Sequence, residues 1–220
     1  MIERFGQNRI GDDYVVGDIH GHYDVLMTTL EHIGFNRQSD RLFCVGDLID
    51  RGPRSLECLQ LVLEPWFFAV RGNHELMAKR ALFENEWGMW LHNGGAWSKE
   101  HDRVALRTTL AECMMQMPWA MEVALSDGRK AGIVHAEPPE DWAAIEQCDR
   151  QALVWSRQRI QAGDTTPVHN ITGVVVGHTP VERPRMLGNV RYIDIGVFLS
   201  NRLIVERLSD SMDQVVTGSA

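Results

Sequence analysis

The chain has 220 residues, 44% of them hydrophobic and 24% charged, which suits one globular domain able to bury its own core. A net charge of −8 excludes the broadly cationic surface that sequence-independent nucleic-acid binding needs. No apolar run is long enough to span a membrane, no signal-peptide core opens the chain, and the four cysteines lack CxxC spacing, so a reduced, cytoplasmic monomer is expected.

Tyr14-Val15-Val16 is a short buried-strand run ending at Gly17-Asp18. Residues 23–33 carry Val25, Leu26, Leu30 and Ile33 at helical spacing, and Gly34 stops that helix. A second strand run, Leu42-Phe43-Cys44-Val45, ends at Gly46-Asp47, and Ser55 is placed to cap the next helix. A third, Phe67-Phe68-Ala69-Val70, ends at Arg71-Gly72-Asn73. Strands alternating with helices predict an α/β domain with a partly parallel sheet. Residues 75–116 read as mostly helical, and Ser126-Asp127-Gly128-Arg129 marks a hairpin. Residues 149–160 read as helix and residues 162–170 as a polar, mobile loop. Val174-Val175-Val176 leads into Gly177-His178, and Gly188-Asn189 turns another hairpin. Residues 202–208 read as a last strand, and the tail from Ser209 as polar and disordered.

The chemistry lies just beyond the strands. Four apolar runs end in glycine and then a metal-binding side chain: Asp18 with His20, Asp47, Asn73 and His178. A fifth ends directly in His135. Any one of these is ordinarily a turn residue or a hydrogen-bonded core histidine. Together, at strand carboxyl ends where α/β enzymes gather ligands, they describe a site for hard or borderline divalent ions, with no thiolate. Asp18 and His20 can face one ion, Asp47 can bridge two, and Asn73, His135 and His178 complete the second. Two ions about 3.5–4 Å apart activate a bridging water and clamp the oxygens of an in-line phosphoryl displacement. Arg51 and Arg71 adjoin these loops and can offer forked hydrogen bonds to a phosphoryl group. Of Arg157 and Arg159, the residues alone choose neither. His74 follows Asn73 and can lie near the ions without binding one, while Asp50 either charges its ring or is a turn aspartate. Glu75 reads as a first-turn helix residue, and the seven tryptophans as packing.

The blocks GDIHG, GDLIDRG, RGNHE, HNGGAW, HAE, VWSRQRI, VVGHTP and YIDIGV resemble the phosphoprotein phosphatase family, in its bacteriophage lambda-type branch, within the calcineurin-like metallophosphoesterase fold. The resemblance runs from Val15 to Val205. It implies a central β-sandwich with helices on its outer faces, in one domain over 1–220 with a helical insertion at 83–117. It implies a first metal on Asp18, His20 and Asp47 and a second on Asp47, Asn73, His135 and His178, the ions being Mn²⁺, with Fe or Zn as alternatives. It makes His74 the general acid held by Asp50, and Arg51, Arg71 and Arg157 the phosphate clamps. The implied reaction is removal of phosphate from phosphoserine or phosphothreonine of proteins and peptides, with phosphotyrosine as a further substrate, by attack of a metal-bridging hydroxide. The alternative within the fold is hydrolysis of dinucleoside tetraphosphates. Glu137 departs from the eukaryotic pattern, which has glycine there, and no role transfers to residues 83–117.

Overall fold

A strand that is apolar at every position must be covered on both faces. The computed structural model, which describes residues 1–217, meets that demand with two sheets packed face to face. In the first, β2 (Asp13–Val16), β3 (Arg41–Cys44) and β4 (Phe67–Ala69) pair in parallel, and β10 (Val205–Arg207) lies antiparallel to β2. The second runs in the order β1 (Ile2–Phe5), β5 (Ala120–Ala124), β6 (Lys130–Ile133), β7 (Gly173–Val176), β9 (Val190–Tyr192), β8 (Arg185–Leu187).

Side chains of period two distribute the core. Val15, Phe43, Val45 and Val70 meet Met121, Val123, Ile133 and Val175 between the sheets. The alternate residues Tyr14, Val16, Leu42, Cys44 and Phe67 face outward and are covered by α1 (Tyr23–His32), α2 (Ser55–Gln60), α3 (Asn73–Glu84), α4 (Trp87–His92) and α5 (Arg103–Gln116). On the far side, Val174, Val176, Val190 and Tyr192 pack against Trp142 and α6 (Arg150–Trp155). The arrangement is the sandwich with outer helices that the family resemblance implies, and it replaces the simpler reading of one partly parallel sheet.

Residues 83–117 form the end of α3, then α4, a 3₁₀ segment Gly95–Glu100, and α5. Asp102 caps α5 by accepting from the Val104 and Ala105 N–H groups. Leu106, Leu110 and Cys113, at helical spacing, enter the core shared with β2 to β4.

Three local expectations change. Ser55 is not a cap: it is the first residue of α2, and its hydroxyl accepts from Asp50 N–H at 2.9 Å. The loop at 162–170 is tied down: Arg159 Nη1 donates to the Thr166 carbonyl at 2.6 Å, and Val168 N–H to Asn189 Oδ1 at 2.6 Å. The tail continues from β10 into α9 (Leu208–Thr217), because Leu208, Met212 and Val215 recur on one helical face and pack into the core between the sheets. Two short helices, α7 (Gln158–Ala162) and α8 (Val197–Ser200), flank the end of the sandwich where the polar loops gather. No helix among the described residues is long and apolar enough to cross a membrane.

Candidate active site

The loops leaving β2, β3, β4, β6 and β7 converge at one end of the sandwich. They bring Asp18, His20, Asp47, Asn73, His135 and His178 together, all of them buried. The backbone is forced to do this. His20, Asp47, Asp50, Arg51 and His178 have φ between 44° and 76°, and they are five of the eight non-glycine residues with positive φ among those described. Such conformations cost of order 1 kcal/mol or more each and persist only where surroundings impose them. Two glycines let the carboxylates lie against the chain: a Cβ on Gly177 would sit 2.0 Å from Asp18 Oδ1, and one on Gly72 2.1 Å from Asp47 Oδ1.

Asp47 stands between two groups. Its Oδ2 is 3.7 Å from His20 Nε2, and its Oδ1 is 3.5 Å from His135 Nε2. Asn73 Oδ1 lies 2.9 Å from both His135 Nε2 and His178 Nδ1. Each of these histidines has its other nitrogen on a backbone carbonyl: His20 Nδ1 on Ile49 (2.9 Å), His135 Nδ1 on Val45 (2.8 Å), His178 Nε2 on Trp155 (3.3 Å). An N–H donated outward fixes the tautomer and aims the remaining lone pair into the cluster, the usual support of a metal-binding imidazole. Burial holds His20 and His178 at about 3 and lowers His135 as well, so all three are neutral at physiological pH. Burial, with the charges of Asp194 and Asp47, pushes Asp18 well above the carboxylate range. Burial opposes ionisation of Asp47 too, but His135, His74 and His20 outweigh it and the group ends below its ordinary value. Asp194, not singled out by the sequence, is raised to about 6 by burial, and its Oδ2 has no hydrogen-bond partner. Neutral, pre-aimed imidazoles among buried carboxylates short of positive charge are a donor set that fits divalent cations.

His74 opens α3 beside this cluster. Its Nδ1 is 2.6 Å from Asp50 Oδ2, and its Nε2 is 3.8 Å from Asp47 Oδ2. Burial pulls the ring's pKa down, but Asp47 and Asp50 prevail and raise it. Asp50 is itself gripped: the indole N–H of Trp90 donates to its two oxygens at 2.9 and 3.0 Å, and that of Trp97 to Oδ1 at 2.7 Å. Glu75 is more than a first-turn charge. It accepts from the N–H groups of Gly72 (2.8 Å), Asp47 (3.2 Å) and Leu48 (2.8 Å), joining two of the candidate ligand loops.

The arginines divide. Arg51 enters the cluster, with Nη1 2.8 Å from His20 Nε2, Nη2 3.1 Å from His74 Nε2, and its guanidinium 4.2 Å over the Phe198 ring. Arg157 is exposed at the rim, donates to Thr179 Oγ1 at 3.3 Å, and its charge helps to lower His135 and His178. Arg159 is buried against Glu137 at 3.6 Å, which makes Glu137 a structural partner. Arg71 departs from expectation. Its Nε and Nη2 donate to the carbonyls of Met117 (2.7 Å) and Met114 (2.8 Å), so the guanidinium is anchored at the end of α5 and makes no hydrogen bond to the cluster. Arg71→Lys is therefore expected to leave turnover of p-nitrophenyl phosphate within about twofold and to lower the thermal midpoint, since a part-buried side chain-to-carbonyl hydrogen bond is worth about 1 kcal/mol. Steady-state kinetics and a melt check this; a tenfold fall in kcat at unchanged stability would restore the clamp.

Comparison with known proteins adds three findings. The family description "Calcineurin-like phosphoesterase" matches residues 14–193. Serine/threonine-protein phosphatase 1 of Salmonella typhimurium is 38% identical over 200 residues, covering 89% of this chain and 91% of the relative, while a symmetrical bis(5'-nucleosyl)-tetraphosphatase of Dechloromonas aromatica is 51% identical over 65 residues, only 29% of this chain and 24% of the relative. A solved structure provisionally described as a diadenosine tetraphosphatase superposes with TM-score 0.68 at 18% identity, covering 96% of this chain and 94% of that one, a likeness of fold.

Proposed function

The chain belongs to the calcineurin-like phosphoesterase family and is a phosphoester hydrolase, and on that basis we propose that it removes phosphate from phosphoserine and phosphothreonine, with phosphotyrosine as a further substrate, in proteins and peptides. The observation that carries this reading is the His74–Asp50 pair set against a cluster that shares Asp47. A serine or threonine alkoxide is a basic leaving group and needs a proton, and His74 Nε2 is where the proton would be held. Likeness to a named serine/threonine phosphatase extends over nearly the whole chain, whereas likeness to the tetraphosphatase of Dechloromonas aromatica is confined to under a third of it.

In this reading Asp18, His20 and Asp47 would hold one divalent ion and Asp47, Asn73, His135 and His178 a second, Mn²⁺, with Fe or Zn as alternatives, being compatible with a set of three imidazoles and three oxygen donors that has no thiolate. When bound, the ions supply Lewis acidity and a nucleophile at neutral pH. The rest is the work of the chain. Arg51 and Arg157 bind the phosphoryl oxygens, Arg51 by its fork and Arg157 from the rim. His74 gives its Nε2 proton to the departing oxygen while Asp50 holds Nδ1–H and stabilises the charged ring. Trp90 and Trp97, from residues 83–117, fix Asp50 and so set the angle of His74. The protein acts as a cytoplasmic monomer without nucleic-acid or membrane partners.

With Mn²⁺ supplied, a phosphoserine peptide is expected to be hydrolysed at least roughly 10-fold faster, in kcat/KM, than diadenosine tetraphosphate. Phosphate release from each, measured side by side, decides it; the opposite order would assign the site to dinucleotides.

A further inference from the structure

Next to the cluster a second concavity begins. Trp155, whose carbonyl is 3.3 Å from His178 Nε2, lines one end of it. Lys79 of α3 borders it, and it continues past Arg71 and Trp119 into an adjoining cleft bordered by Arg150. The guanidinium groups of Arg71 and Arg150 both lie over the Trp119 ring, at 5.2 and 5.5 Å. Burial, with the charge of Arg150 beside it, pulls Arg71 below its ordinary value. Two of Arg71's N–H groups are anchored on Met117 and Met114, which holds the fork in place and leaves its other donors unspent.

The acids of this region are few or already used. Glu84 borders the cleft but is within 4.0 Å of Arg80, which also faces Glu86 at 3.6 Å. Glu3 borders the far end, its carboxyl raised by burial. Arg71, Lys79 and Arg150 have no ion-pair partner among the described residues. In a chain of net charge −8, three cations without ion pairs around two adjoining clefts beside the proposed reaction centre run against the overall balance. Like charges held together over one ring are stabilised by an anionic occupant.

We infer that this cleft seats acidic residues flanking the phosphorylated side chain of a protein substrate. The inference rests on the protein-phosphatase reading of the adjoining site. The cations are spread from α3 to α6, which suits several carboxylates along an extended peptide better than one compact phosphate. The Trp119 ring is already overlaid by two guanidinium groups, with which a stacking nucleobase would have to compete.

The test uses the Mn²⁺-loaded enzyme and phosphoserine peptides that differ only in carrying three aspartates or three glutamines on one side of the phosphoserine, with the charged run placed N-terminal in one pair and C-terminal in another. In one pair the aspartate peptide is expected to be favoured roughly tenfold in kcat/KM at low salt, through KM. The double variant Lys79→Gln/Arg150→Gln should remove that preference and leave p-nitrophenyl phosphate turnover unchanged. Fluorescence anisotropy of the labelled, unphosphorylated aspartate peptide on the metal-stripped protein should give the same order without any turnover. Equal kcat/KM within both pairs, or a preference that survives in the double variant, overturns the inference. So does a double variant that loses only diadenosine tetraphosphate turnover, which would give the cleft to a nucleotide. If no phosphopeptide were hydrolysed, the protein-phosphatase reading would fall, and the anisotropy comparison would still decide the cleft.

Discussion

Replacing His74 with asparagine is expected to lower turnover of a phosphoserine peptide roughly 10²–10⁴-fold, the usual worth of a positioned general acid. The loss should depend on the leaving group. Serine alkoxide cannot depart without a proton, while p-nitrophenolate leaves nearly unaided, so its release should fall much less. Asp50→Asn should give a milder copy of the same pattern, because the ring keeps its place but loses the charge 2.6 Å away. Trp97→Phe should be milder again, since Trp90 still donates to Asp50. Kinetics on both substrates, with metal content by elemental analysis, are the measurement. His20, Asp47 and His74 each offer one ligand atom within 4.8 Å of the others, so the metal content matters: an equal loss on both substrates removes the acid role, and loss of an ion makes His74 a ligand.

Exhaustive chelation is expected to abolish turnover altogether, and Mn²⁺ to restore it better than Mg²⁺. Magnesium prefers an all-oxygen shell, and half of the proposed ligands are imidazoles. A second readout is independent of catalysis. Asp18 and Asp194 are held above their ordinary pKa by burial among like charges, so a cation relieves the site, and the thermal midpoint should rise with Mn²⁺ concentration. Asp47→Asn should lower occupancy of both ions, because its two oxygens face His20 on one side and His135 on the other; Asn73→Ala should mainly affect one. Undiminished turnover in fully stripped protein would falsify metal dependence.

The loops proposed to bind metal were legible in the sequence because all but the His135 loop are an apolar strand run broken by a glycine and then a polar side chain, a pattern that survives without knowledge of the sheets. The second sheet's partnership with the first was not legible from periodicity, since residues buried on both faces look alike whichever layer covers them. Trp90 and Trp97 could not be told from packing tryptophans: an indole gives no sequence sign of whom its N–H serves, and their partner Asp50 is forty or more positions away. Arg71 misled because adjacency to Asn73 says nothing about where a long side chain ends, and here two carbonyls at the end of α5 take it. Arg157 is exposed at the rim and Arg159 is buried against Glu137, a difference that two neighbouring positions of sequence cannot express. The helix from Leu208 was within reach, since its apolar spacing is present and was outweighed by the polar residues between.

The left-handed backbone at His20, Asp47, Asp50, Arg51 and His178 also predicts how this enzyme would respond to selection in the laboratory. Glycine would relieve the strain at each position, but at the buried His20, Asp47, Asp50 and His178 it would also empty the side chain's volume and strand its hydrogen-bond partners, so the net gain is confined to Arg51, which is exposed. A library screened for heat resistance alone would therefore enrich glycine at Arg51, one of the two arginines proposed to bind the phosphoryl group, and its hardiest members would lose turnover. Thermostabilised variants that keep their chemistry have to be sought elsewhere, for example on the exposed faces of α1 and α5, with turnover scored in every round.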